Sequence, residues 1–190
     1  GLNASGYYYG DNKIVGFSHT RLLGADALEG GHFRVTPTLA SLLEPTRSKE
    51  RFPRFSHREE VAFPGYYSVR LPEEDIRVEL TSAPRVGIHR YTFRGSEAPH
   101  ILIDVTSHLG EGRSEKGMAR ILPESNRIEG SVRTFGSFAS RYDGLDVYFS
   151  AHVDQPIVKY GIWKDGLLQQ DSTALGDKVL VDLEFEPQEG

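Results

Sequence analysis

The 190-residue sequence has no cysteine, one methionine and one tryptophan. The missing cysteines exclude disulfides and thiolate metal sites, so the fold must rest on its core. No apolar run approaches the roughly 18 residues of a membrane span, and no charged-then-apolar leader opens the chain. No membrane partner is expected, and a signal peptide already removed remains compatible with the sequence. A net charge of −5, from 22 basic and 27 acidic residues, offers no electrostatic ground for binding nucleic acid. No phosphate loop or dinucleotide fingerprint occurs. Because Met118 is the single methionine, Gly1 is expected to follow processing, cleavage or truncation.

What the sequence does contain is enough apolar material for a core: 38% apolar and 26% charged residues fit one ordered domain rather than a disordered chain. Its apolar residues recur with a period of two, the rhythm of half-buried strands. Ile76, Val78 and Leu80 alternate with Arg77, Glu79 and Thr81. Segments 86–93, 100–105, 127–133, 146–153, 157–163 and 178–185 read the same way. Turn chemistry separates them, as in Leu71-Pro72-Glu73-Glu74, Tyr142-Asp143-Gly144 and Lys164-Asp165-Gly166.

Such a series implies an all-β fold, a large antiparallel β-sandwich. Val147, Phe149, Ala151 and Val153 would face Val179, Val181, Leu183 and Phe185, with Tyr148, Ser150 and His152 on the opposite side. Only residues 39–43 suggest a helical turn. Residues 6–37, rich in glycine, histidine and aromatics, show no sustained alternation and read as a long irregular loop region, where a site is expected. Residues 1–186 are taken as the sandwich, and residues 187–190 as the start of a linker.

Several motifs carry candidate chemistry. In Gly16-Phe17-Ser18-His19-Thr20, His19 offers a donor and an acceptor suited to sugar hydroxyls, or it ties its own loop together through backbone hydrogen bonds. A Ser18 nucleophile is disfavoured because Thr20 stands where the Gly-x-Ser-x-Gly elbow needs glycine. Arg21 to His32 holds Asp26, Glu29 and His32 among glycines, yet lacks the calcium-loop spacing, so no metal ligand is nominated. His57 beside Glu59 and Glu60 could position an imidazole or simply belong to a surface loop. Tyr7, Tyr8, Tyr9, Tyr66 and Tyr67 supply rings for stacking on a pyranose or for packing. The basic stretch 47–58 is broken by Glu50 and proline and reads as solvated loop. His89, His100, His108 and His152 read as strand-associated histidines without a second metal ligand. Asn3-Ala4-Ser5 is a glycosylation sequon only on a eukaryotic secretory route. No carboxyl pair is nominated for glycosidic acid and base catalysis, so no catalytic residue is assigned.

Taken in order, Tyr7-Tyr8-Tyr9-Gly10-Asp11, Gly16-Phe17-Ser18-His19-Thr20, Gly30-Gly31-His32-Phe33, Phe55-Ser56-His57, Pro64-Gly65-Tyr66-Tyr67, Glu79-Leu80-Thr81, Gly87 to Phe93 and Ile101 to Asp104 resemble the amino-terminal β-domain of glycoside hydrolase family 92. That family comprises calcium-dependent exo-acting α-mannosidases. The resemblance implies a super-sandwich of the galactose-mutarotase type, packed on a carboxy-terminal helical barrel domain. It implies hydrolysis of terminal α-mannosides with inversion, with the acid, the base and most calcium ligands on the helical domain. This chain would then be a catalytically inert part of an α-mannosidase that lends loops to the mannose pocket, with His19, Thr20, Arg21, Asp26 and His57 as wall residues. Relatives carry histidine where Arg21 stands, so a strict α-1,2 preference does not carry over. The resemblance also implies a secreted, periplasmic or cell-surface protein of bacterial origin. The alternatives are a carbohydrate-binding module, or a structural sandwich that only docks on its neighbour.

Overall fold

The computed structural model describes residues 7–20, 30–41, 52–95, 97–110 and 112–187. Within these the regular structure is strands and three short 3-10 turns, and every strand pairing is antiparallel. The all-β class expected from the period-two pattern is the one found.

Strands β1 (Arg34–Thr38), β6 (His100–Asp104), β10 (Lys159–Lys164), β11 (Leu167–Gln169) and β13 (Val179–Glu184) form one sheet, ordered β1-β6-β13-β10-β11. A second sheet, ordered β12-β7-β8-β9, combines β7 (Arg113–Leu122), β8 (Arg127–Phe135), β9 (Leu145–His152) and β12 (Thr173–Gly176). The main core joins these two: Ile103, Ile162, Val181 and Leu183 from the first meet Ala119, Ile121, Ile128 and Val132 from the second. Val147, Phe149 and Val153 pack against that cluster while Tyr148, Ser150 and His152 are exposed, as the alternation requires.

A third sheet, β2-β3-β4-β5, is a meander of β2 (Glu60–Phe63), β3 (Tyr66–Leu71), β4 (Ile76–Ala83) and β5 (Val86–Phe93). It has its own buried cluster of Ile14, Val69, Leu71, Ile76 and Val78, closed by Phe17, Phe55, Tyr67, Leu80, Tyr91 and Phe93. Two hydrophobic clusters thus stand where the sequence suggested a single sandwich core. The aromatics of the amino-terminal loops roof one face of the third sheet.

Residues 6–37 are not loop throughout. They contain most of β1, an edge strand whose Pro37 can sit there because an edge strand has a side with no ladder bond to donate. β7 escaped the alternation because a bulge between Glu115 and Met118, with Lys116 at φ 53°, shifts the register mid-strand. In the 39–43 segment, residues 39–41 are not helical, and Leu42 and Leu43 lie outside the described residues. Residues 47–51 of the basic stretch and the sequon 3–5 lie outside them too.

Candidate functional site

The loop 16–20 is held as an added strand. Phe17 exchanges both backbone hydrogen bonds with Val35 at 2.8 and 2.9 Å, the His19 amide donates to His32 O, and the Gly31 amide donates to Thr20 O at 2.7 Å. Gly16, at φ 150°, lies so close to β1 that a Cβ would sit 2.5 Å from Thr36 Oγ1 and 2.6 Å from Arg34 Cγ. Only glycine lets the loop approach that far. Gly30, Gly31 and Phe33, on either side of His32, have φ of 94°, 85° and 53° where the chain turns into β1.

Thr20 and His32 are tied to the sandwich beneath them. His32 is 4% exposed; its Nδ1 meets Thr20 Oγ1 at 2.6 Å and its Nε2 meets Thr134 Oγ1 at 2.7 Å. The same Thr20 oxygen accepts the His32 amide at 3.1 Å. Both ring nitrogens of a buried histidine are satisfied, as burial demands. Ser107 closes the support by donating to Gly31 O and accepting from the Arg34 amide, beside an Arg34–Asp104 ion pair at 2.7 Å.

His19 is exposed, and three contacts fix its ring. Nδ1 lies 3.1 Å from Phe33 O, and the ring stacks on His89 with centroids 4.7 Å apart and planes 13° apart. Gly87 lies under it, where a Cβ would come 2.6 Å from His19 Cδ2. A carbonyl oxygen only accepts, so in the neutral ring Nδ1 carries the proton and Nε2 presents a lone pair. That is an acceptor suited to a hydroxyl. Burial, reinforced by the neighbouring His19, pushes His89 down to about 4, so it stays neutral as a flat support. His89 Nδ1 also meets Tyr91 OH at 2.5 Å, and burial pushes that phenol up.

His57 belongs to a different set of partners. It opens a 3-10 turn capped by Ser56, whose side chain accepts the Arg58 amide. Its Nδ1 meets Glu60 Oε2 at 2.5 Å and its Nε2 meets Tyr9 O at 2.6 Å, with the Tyr9 ring stacked 4.1 Å away. Glu60 also accepts from Tyr67 OH at 2.6 Å and Tyr7 OH at 3.1 Å. Burial opposes ionisation of Glu60, but the bonds from Tyr67, His57 and Tyr7 outweigh it and hold the carboxyl below its ordinary value. The Glu60 bond raises the His57 pKa against a smaller opposing effect of burial, and the Tyr9 carbonyl adds to the rise. The rings of Tyr8 and Tyr9 are exposed.

Of the wall residues read from the sequence, the structure brings His19 and Thr20 side by side and sets His57 in the tyrosine–carboxylate network. Arg21 and Asp26 lie outside the described residues. His32, Gly87, His89 and Thr134 support the loop, and sequence reasoning missed them as a group. His32 and Thr134 are 102 positions apart, a contact that no local spacing reveals. Of the strand-associated histidines, His100 is a buried structural partner of Asp182 at 2.8 Å, and His108 and His152 are exposed. Asp104 pairs with Arg34 and Asp146 with Arg133, both structural roles.

Metal-ligating side chains do not converge: among the described residues no three of His, Cys, Asp and Glu come together to hold a cation. Nor is any helix of the described residues long and apolar enough to cross a membrane.

A model of the glycosyl hydrolase family 92 N-terminal domain matches residues 1–190. The chain belongs to that family. Its fold recurs in a family GH92 alpha-mannosidase from Bacteroides thetaiotaomicron solved with mannoimidazole, at TM-score 0.85 and 27% identity over 98% of this chain. The GH92 family glycosyl hydrolase ccman5 matches at TM-score 0.82 and 28% identity over 98% of the chain. A GH92 inverting mannosidase from Bacteroides thetaiotaomicron shares the fold at TM-score 0.79 and 24% identity. No curated protein is significantly similar. This family 92 N-terminal domain spans about a quarter of those solved chains, 26% of the first two and 25% of the third.

Proposed function

We propose that this chain is the non-catalytic domain of an α-mannosidase and that its loop 16–20, with Arg21 and Asp26 beyond it, forms part of the wall of the mannose pocket. The observation that carries the reading is His19. An exposed imidazole is held in one orientation by Phe33 O, His89 and Gly87, the fixed geometry that a binding site uses. Thr20 beside it spends its hydroxyl on His32, so it shapes the wall through its position. His57 acts through Tyr9, whose exposed ring it stacks against and whose carbonyl it binds.

The reaction in this reading is exo-hydrolysis of α-mannosidic linkages with inversion, which needs an acid and a base about 6.5–9.5 Å apart. Those carboxyls belong to the carboxy-terminal helical domain, the partner of this chain in the enzyme. Calcium belongs to the same reading as a cofactor of the whole enzyme. The described residues do not fit it, so its ligands are sought in that other domain. An exported bacterial enzyme of glycan degradation fits the family and its Bacteroides structures.

The test is turnover. This chain alone releases no mannose from an α-mannoside with calcium present, whereas a polypeptide continuing beyond Gly190 into the helical domain does; turnover by the 190 residues alone rejects the proposal. The exposed rings of Tyr8 and Tyr9 favour the second reading, a binding module. Millimolar or tighter glycan binding by the isolated chain, abolished by Tyr9→Ala, would replace the first reading with that one.

A further inference from the structure

The outer face of the second sheet carries a row of side chains that the core does not explain. Leu175 stands opposite Met118, Met118 opposite Ser131 and Ser131 opposite Tyr148, one residue from each of β12, β7, β8 and β9. Their neighbours in sequence, Ala174, Ala119, Val132 and Phe149, pack in the main core, so alternation turns the row outward. Tyr148 is 73% and Leu175 60% exposed, with Met118 and Ser131 half-buried between them. Ser131 is the smallest of the four and leaves a step between the larger Met118 and Tyr148 side chains. Three inter-strand spacings make the row about 14 Å long, enough for a short oligosaccharide lying across the strands.

Polar groups border the row on both sides. On one side Glu129 and Ser150 both bond to Arg127, at 2.9 and 3.1 Å. On the other, Arg133 Nη1 donates to both Asp146 oxygens at 3.1 Å. Glu115 and Arg120 on β7 add one charge of each sign beside these. The guanidinium groups of Arg120, Arg127 and Arg133 thus cancel the carboxylates of Glu115, Glu129 and Asp146, which leaves no net field to draw phosphate or nucleic acid. A protein interface keeps such charges out of its centre. A neutral glycan uses both features at once: the apolar faces of its rings suit Tyr148 and Met118, and its hydroxyls suit donors and acceptors that the ion pairs already hold in place.

We infer that this row is a second glycan site, which holds a neutral oligosaccharide flat on the second sheet and apart from the wall at His19. The two lie on different surfaces. Thr134, through which β8 holds His32, is buried on the core side of the sheet, whereas Ser131 on the same strand faces out. A hold on the row keeps a long glycan near the enzyme between cleavages and contributes nothing to the chemistry. The inference takes only the class of ligand from the reading above, and it stands or falls without the mannose pocket.

Affinity electrophoresis of the 190-residue chain through gels containing α-mannan tests it. Mobility relative to a protein that does not bind should fall about twofold once the mannan concentration reaches the dissociation constant. Tyr148→Ala should abolish the retardation while leaving the thermal midpoint within about two degrees, because the ring is largely exposed. Ser131→Gln, which fills the step with a polar side chain, should abolish it as well, and His19→Ala and Tyr9→Ala should retain it. Unchanged mobility at the highest soluble mannan concentration overturns the inference, as does retardation that survives Tyr148→Ala or Ser131→Gln. Retardation lost in Tyr9→Ala would place the binding at the exposed tyrosines instead and overturn it too. Equal retardation by polygalacturonate, an anionic polymer, would overturn the argument for a neutral ligand. Hydrolysis of a small aryl α-mannoside by the longer polypeptide, measured separately, decides the functional reading and is independent of these mobilities.

Discussion

His57 and Glu60 are joined at 2.5 Å in a bond that fits a charged imidazole, because the second nitrogen of the ring faces another pure acceptor, Tyr9 O, at 2.6 Å. A neutral ring donates once and would set a lone pair against one of the two oxygens. The proton on His57 therefore holds the Tyr7–Tyr9 segment against β2 and β3.

The consequence for pH has a definite sign. The folded pKa of His57 lies above 6.5, so its stabilisation is complete below 6.5 and is lost as pH rises through the folded value. Glu60 lies below 4.5, so its contribution is present above 4.5 and is lost as pH falls through its folded value. Thermal midpoints measured against pH should show the two contributions overlapping fully between these limits, and His57→Ala should flatten the alkaline limb relative to the parent. An unchanged alkaline limb would show that the imidazolium does not hold this segment.

His32→Ala should be costly. It removes a buried ring and leaves Thr20 and Thr134 each without that partner, a loss of about 2–4 kcal/mol by urea denaturation. His32→Leu refills the volume but restores neither hydrogen bond, so it should recover only part of the loss.

Gly87→Ala separates orientation from stability. A Cβ there meets the His19 ring at 2.6 Å and must push it off His89. Gly87 is exposed on a strand, so the folding free energy should move by less than about 1 kcal/mol. In the longer enzyme, kcat/KM for an α-mannoside should fall by about tenfold, the scale of one lost hydrogen bond. Unchanged kinetics would remove His19 from the wall.

Chelation should leave this chain untouched. With no cluster of three ligating side chains among the described residues, EDTA should not shift the thermal midpoint of the 190-residue protein. A drop on chelation, reversed by calcium, would place a cation site in this domain.

Much of the fold was legible because alternation is local. β5 spans Val86–Phe93, the range read from the sequence, and β13 buries the Val179, Val181 and Leu183 side chains that the pattern assigned to the core. β1 was hidden by Pro37 and by a single apolar residue, Val35, between polar neighbours. β7 was hidden because its bulge breaks the period that betrays a strand. Of the site, His19 and Thr20 stood out as a motif. Their supports did not, because Gly87 and His89 reach His19 only after the meander is folded.

The sequence by itself determined that this is an antiparallel β protein and which side of most strands faces a core, since side chains on a strand alternate whatever the strand packs against. Tertiary structure alone decided that the described residues form two cores, that His32 bridges Thr20 to Thr134, that His57 serves Glu60 and Tyr9, and that β5 carries His19 on one face. Those facts depend on which distant strands pair and how loops cross between sheets. A period of two is the same for every partner a strand could choose.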